Sequence, residues 1–484
     1  MANAFIDRLL NHRRQDHLPE LLISGQGVRG NESTPPRLSS QAPQQLPSSQ
    51  HTSSTVTTPD AGDVDASSGF PVMVIQSPSM MGFLGLRHDT DAWLVNMERN
   101  STATDSATAG WSSGLFMLPP EQVTSALAAF SDKVHVWYPI LSSADFNEIL
   151  YKSNDFANQP GSHTCLAMLV IAIGSLVAPP PTAGLEKRPD IQYFERATSV
   201  FAEVMADYTI VGLQCQVLFS LYYLCLVRPC EAHDYIMIAS IRAQNMLKSR
   251  LYEDDPHQLE ALRRACWAVI LIESELGAQL NLAESGIWKY DQHLQLPTAD
   301  ETWHFGKPGT ASPETNTASP QSYVTDKSHS AEVLSYFMAE IAMRRMLRRC
   351  TTSVSNWTGG GLQYAPIIAN ELEFQLDQWY QYLPPSLRFN RLPVSAADTP
   401  ELQTAQFLQM QHSAYQASIY WPAVYQAVQS GRADQAQLLF CSKFFDAYVS
   451  FSISAEASLD TCIPNTWTLY ARFVRDVPFP GFSS

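Results

Sequence analysis

The sequence is poor in charge and has no cysteine spacing suited to metal. Charged residues make up 16% of the 484 residues, below the roughly 25% usual for soluble domains. Acidic residues outnumber basic ones, 47 against 31, for a formal net charge of −16. That balance excludes a surface that is a nucleic-acid footprint throughout, because phosphate binding needs clustered Lys and Arg. Any DNA contact must come from a local basic patch or from a partner. The eight cysteines contain no C-x-x-C pair and sit in apolar stretches such as "HTCLAMLV" and "RRACWAVI", so they read as buried thiols in a reducing compartment. The twelve histidines include no H-E-x-x-H and no Cys/His cluster at zinc spacing. The N-terminus, "MANAFIDRLLNHRRQDHL", carries Asp7 and Asp16 and no apolar core, which excludes a secretory signal. The longest uncharged apolar run, Cys165 to Ala178, is shorter than the ~20 residues needed to span a bilayer. The next, Cys266 to Leu282, is interrupted by Glu273 and Glu275, so no membrane segment is expected.

What is present is apolar and helical in pattern. Hydrophobic residues reach 45% and aromatics 11%, enough to build sizeable cores in a chain of this length. Residues 1–114 are largely Ser, Thr, Pro, Gln and Gly, with one apolar island, "FPVMVIQSPSMMGFLGL". Such a composition cannot offset the entropy of ordering, so a largely disordered segment is expected there. From residue 115 onward the apolar spacing is that of helices. Tyr193, Ala197, Val200, Val204 and Tyr208 share a face, and Leu213 to Leu226 is apolar nearly all round. Arg228-Pro229 interrupts the pattern before Ala232, Tyr235, Ile236, Ala239, Ala243 and Met246 resume it, which predicts a helical hairpin with a short turn. A further helix is predicted over Pro256–Leu280. A polar stretch at 301–330 marks a loop between a helical region at 115–300 and a second at 331–484. The fold class expected is all-α, a helical bundle or superhelix behind a disordered N-terminal segment.

Motifs of catalysis are weak. Gly25, Gly27 and Gly30 fit G-x-G-x-x-G, but "NESTPPRLSS" follows where a helix should hold the pyrophosphate. Gly110-Trp111-Ser112-Ser113-Gly114 fits the nucleophile elbow, without the strand before it or the helix after it. Glu253, Asp254 and Asp255, with Asn281 and Ser285, suggest an Mg²⁺-dependent terpene cyclase, but the next position in that series is the cation Lys289. The chain is therefore not expected to be an enzyme and no metal ligand is assigned. Arg344, Arg345, Arg348 and Arg349 form the densest basic patch, a candidate anion or import-receptor contact. A solvated helix face paired with nearby carboxylates is the favoured interpretation.

Six ordered blocks carry a family resemblance. They are "KVHVWYPILSSADFNEIL", "CLAMLVIAIGSLVAPP", the stretch from Tyr193 to Ser249, "LEALRRACWAVILIESELG", "ELEFQLDQWYQYLPPSLRF" with "SIYWPAVYQAV", and "PNTWTLYARF". In order and spacing they resemble the middle homology region of fungal binuclear zinc-cluster transcription factors, over about residues 115 to 475. The family's arginine-rich block ending in Trp is represented by Arg263-Arg264-Ala265-Cys266-Trp267. Members usually carry an N-terminal six-cysteine zinc cluster that reads DNA. The first cysteine here is Cys165, so no cofactor is expected on this chain, and zinc and direct DNA contact are expected only if such a cluster precedes it. The resemblance implies a nuclear transcription regulator, controlling a metabolic or secondary-metabolite gene cluster through its helical domain. Its implied partners are co-regulators or a DNA-binding partner, with a small-molecule effector and a homodimer both compatible with it. A helical interaction scaffold with no transcriptional role is the alternative. The implied effector pocket lies between the helices at 213–226, 232–247 and the one carrying Trp267, with Tyr223 and Trp267 as its candidate residues.

Overall fold

The computed structural model describes residues 90–102, 116–157, 159–178, 188–280, 282–298, 327–355, 366–391, 402–458 and 461–468. The apolar island at 70–86 and both glycine-containing motifs lie outside the described residues. Among the described residues all regular structure is helical, as the apolar spacing predicts.

The first half is built on two helices that are buried on nearly every side, α4 (Ser162–Val177) and α7 (Ile210–Cys225). A helix without a polar face cannot lie on a surface, so amphipathic helices wrap them: α2 (Pro120–Phe130), α3 (Ser143–Ala157), α5 (Asp190–Ser199), α6 (Phe201–Ala206), α8 (Pro229–Ser249) and α9 (Pro256–Leu280). Local chemistry sets their ends. Thr209 Oγ1 accepts from Gly212 N at 3.3 Å to start α7, and Pro229 opens α8 where its missing N–H costs nothing. Asp255 Oδ1 accepts from the backbone N–H of His257 and Gln258 at the head of α9. The acidic turn 253–255 is thus a helix cap and surface turn, with Glu253 paired to Arg250 at 3.6 Å. The close approach of α4 to α2 depends on Gly174, where a Cβ would stand 2.0 Å from the Ala126 carbonyl oxygen.

The second half comprises α10 (Lys327–Ser355), α11 (Pro366–Tyr382) and a long hairpin of α12 (Gln403–Ser430) and α13 (Gln435–Ser458). Trp137 joins the halves, its ring meeting Tyr336 edge-on at 5.1 Å and Phe407 at 5.4 Å. Tyr138 Oη, next in sequence, donates to Asn465 Oδ1 at 3.0 Å.

Two helices bear on the sequence-based expectations. Within the segment 1–114, expected to be largely disordered, residues 90–102 form a docked helix, α1 (Thr90–Thr102). Glu98 Oε1 accepts from the N–H groups of Cys230 and Glu231 at 2.9 and 3.1 Å, at the positive end of α8, and Arg99 makes two 2.9 Å bonds to Asp234. The second concerns α13, whose residues Gln435–Glu456 are long and apolar enough to cross a bilayer by length and composition. In this fold one face of α13 packs along α12.

Candidate regulatory site

The polar chemistry of the interior gathers around α9. Glu260, Arg264, Trp267, Leu271 and Glu275 recur at spacings of four, three, four and four, which places them along one line of the helix. Glu273 points to the other side, toward α8. Glu260, Arg264, Trp267 and Glu273 bind the segment 283–298 that follows α9, and Glu275 reaches α10 directly.

At the start of that segment, Glu273 is 1% exposed. It accepts from Ser285 N at 2.7 Å and from Ser285 Oγ at 2.8 Å, and also takes the Ser240 hydroxyl from α8. Gln244 Nε2 donates to the Ser285 carbonyl at 3.2 Å, and a ring nitrogen of His233 bonds the Ala283 carbonyl at 3.0 Å. At the far end, Glu260 Oε1 accepts from Thr298 N and from Arg264 Nε, both at 2.8 Å, while Arg264 Nη2 donates to the Thr298 carbonyl. Trp267 Nε1 donates to the Gln295 carbonyl at 3.0 Å. The segment is therefore a strap fixed at both ends by buried and half-buried side chains of α8 and α9.

The arginines of α10 close the arrangement. Arg344 pairs with Glu275 of α9 and, at 3.2 Å, with Glu340 of its own helix, and Gln411 Nε2 of α12 also donates to Glu340. Burial opposes the Arg344 charge, but Glu275 and Glu340 outweigh it and hold its pKa above the ordinary value. The same two carboxylates add to burial in raising the pKa of Tyr138. Arg345 lies 4.6 Å over the Trp267 ring and pairs with Asp291 of the strap. Arg348 stacks at 4.6 Å on Trp288, with its pKa lowered by burial against the pull of Glu284 and Asp291.

The solvated patch expected at Arg344, Arg345, Arg348 and Arg349 is thus not what the fold presents at its first two members. Arg344 and Arg345 are buried at 6% and 7% exposure, and Arg348 and Arg349 are half-buried. The two pocket candidates are not brought together. Trp267 is 1% exposed beneath Arg345. Tyr223 belongs to an aromatic cluster at the far end of α7, stacked 5.5 Å from Tyr235 and 5.4 Å under the Arg228 guanidinium. Burial first, and Glu231 second, push its phenol upward against the opposing Arg228.

An open cleft of about 370 Å³ does occur nearby, at the turn between α8 and α9. Leu247, Leu251, Leu259, Leu262 and Leu294 supply apolar walls, and Arg250, Arg263 and His293 are among its polar lining. Neither Tyr223 nor Trp267 lines it, but Trp267 is one hydrogen bond behind it through Gln295. The volume suits a small molecule. At its rim Arg250 takes a left-handed backbone, φ 54°, to end α8, a conformation that the residue type does not signal.

No group of three or more His, Cys, Asp or Glu side chains among the described residues is placed to hold a metal. The cysteines do not fit a zinc cluster either. All eight are free, and burial pushes the Cys225 thiol up to about 12 and the Cys350 thiol up to about 12, away from the thiolate that zinc requires.

The family model described as fungal specific transcription factor domain matches residues 127–381, which runs from α2 to the end of α11. The chain belongs to this family. The fungal-specific transcription factor domain accordingly includes the strap, the α8–α9 cleft and all the α10 arginines. A curated protein of Aspergillus rugulosus, named "Putative transcription factor ecdB", is 36% identical over 431 residues, covering 86% of this chain and 72% of that protein. No solved structure matches. The protein is a transcription regulator of the fungal-specific family, a class whose members are generally not enzymes.

Proposed function

We propose that this regulator acts in the nucleus on a metabolic or secondary-metabolite gene cluster, and that its helical domain couples a small-molecule effector to co-regulators or to a DNA-binding partner. One observation carries the effector part. The α8–α9 cleft is walled by the strap, and the strap is joined to α10 through Gln295, Trp267, Arg345 and Asp291. A molecule seated against Leu294 shifts the balance of that chain only if it favours one arrangement of the strap over another.

The family assignment and the similar protein support the regulatory part. Transcript profiling of a deletion strain tests it. The expected result is altered expression of a contiguous set of biosynthetic genes. A helical scaffold without a transcriptional role leaves the transcripts unchanged. Leu251→Trp, at a wall position 58% exposed, fills the cleft from its rim without disturbing the core. It is expected to alter the same gene set while the thermal stability of the protein stays within about 0.5 kcal/mol of wild type.

A further inference from the structure

Helix α13 has two apolar faces. Phe440, Phe444, Ala447, Phe451 and Ala455 are buried against α12, and on the other side Leu438, Phe445 and Val449 are 56%, 53% and 54% exposed. With the exposed Ser442 they form a stripe, Leu438, Ser442, Phe445, Val449, confined to an arc of about 60° at 100° per residue. A helix that is apolar on opposite sides is normally enclosed, and this one is enclosed on a single side.

We propose that the stripe is a dimer interface, occupied by the same helix of a second copy running antiparallel across a two-fold axis. Self-complementarity singles out this occupant. The spacings four, three and four read the same in both directions, about a midpoint between Lys443 and Phe444. An antiparallel copy in that register sets Leu438 of each chain against Val449 of the other and each Phe445 over a Ser442, large side chain over small. The ends match in charge as well. In the same register the exposed Glu456 of one copy falls beside the exposed Arg432 of the other. Two α12–α13 hairpins then make a four-helix bundle. A lipid surface is the poorer occupant. The stripe is flanked by the exposed Asp446, and Lys443 on the same helix is engaged with Glu373 at 3.0 Å, which disfavours anionic headgroups.

Sedimentation of the full chain over a range of concentrations tests the proposal. Wild type is expected to shift from the 53.8 kDa mass of one chain to twice that value as concentration rises. Phe445→Glu is expected to weaken the dimer at least ~10-fold, with an unchanged melting curve at concentrations where both proteins are monomeric, because its site is 53% exposed. Glu456→Arg is expected to weaken it less, and Glu456→Arg with Arg432→Glu to restore it. A one-chain mass for wild type at every concentration overturns the proposal, as does a dimer indifferent to Phe445→Glu. Flotation of monomeric wild type with phosphatidylcholine/phosphatidylserine vesicles, lost in Phe445→Glu, also overturns it and assigns the stripe to a membrane.

Discussion

A guanidinium taken out of water needs carboxylates within reach, and Arg344 has two, with all three side chains one-tenth exposed or less. Removing one partner leaves an uncompensated buried charge, so Glu275→Ala is expected to cost about 3 kcal/mol in denaturant unfolding. Glu275→Ala combined with Arg344→Met is expected to cost less than Glu275→Ala alone, because the stranded charge is gone. His412 presents the opposite case. It is 4% exposed among Trp379, Tyr380 and Phe389. Burial, helped by the positive Arg391, lowers its pKa to about 3. The unfolded chain takes up this proton near pH 6.5 and the folded chain only near 3. The contribution is therefore present above about pH 6.5 and is lost progressively as pH falls toward 3. His412→Phe is expected to flatten that part of a stability-versus-pH curve, read by thermal melts. Little of this residue-scale detail was legible in the sequence. Spacing put the four arginines on one helix face, but their partners Glu275, Asp291 and Glu284 come from other segments. The signal that was available is Glu273 and Glu275 inside an apolar run. Carboxylates in such a helix imply buried donors, rather than only the interruption of a membrane span.

Elements were legible where one apolar face was clear. The helix predicted over Pro256–Leu280 is found over those residues, and the hairpin broken at Arg228-Pro229 turns there. Two helices were not individually assigned from the sequence, for different reasons. The apolar pattern of α13 lies on two faces, so no single period stands out. Among the described residues, α1 is tied by Glu98 to the head of α8 and by Arg99 to Asp234, contacts that no local pattern signals. That docking is expected to respond to pH. Burial first, then the adjacent Glu98, raise Glu231 to about 7 against the pull of Arg228. Arg99, Cys230 and Asp234 are the other ionisable groups at this contact. A carboxyl raised on folding favours the docked state below its unfolded pKa, and that advantage is lost as pH rises through about 7. Hydrogen exchange across residues 90–102, corrected for intrinsic rates, is expected to quicken between pH 6 and pH 8 and to lose this dependence in Glu231→Gln. Packing between elements is tested at Gly174, where the α2 backbone leaves no room for a Cβ. Gly174→Ala is expected to destabilise by about 2 kcal/mol or more, read by the denaturation midpoint.

For the molecule as a whole, the all-α class followed from the near-continuous helical period. Packing across the chain did not. The contacts of Trp137 with Tyr336 and Phe407 tie the first helices to α10 and α12, a pairing that no local pattern encodes. The cleft is of the same kind, since its walls come from α8, α9 and the strap. The family fixes the broad role of the molecule as transcription regulation. In a chain of net charge −16, Arg264, Arg344, Arg345 and Arg348 are engaged with carboxylates or aromatic rings of the interior. Chromatin immunoprecipitation of the tagged full chain in its native fungus, followed by sequencing, tests this role most directly. Occupancy at a defined set of promoters is the expected result. A tagged, functional protein found at no promoter would contradict it.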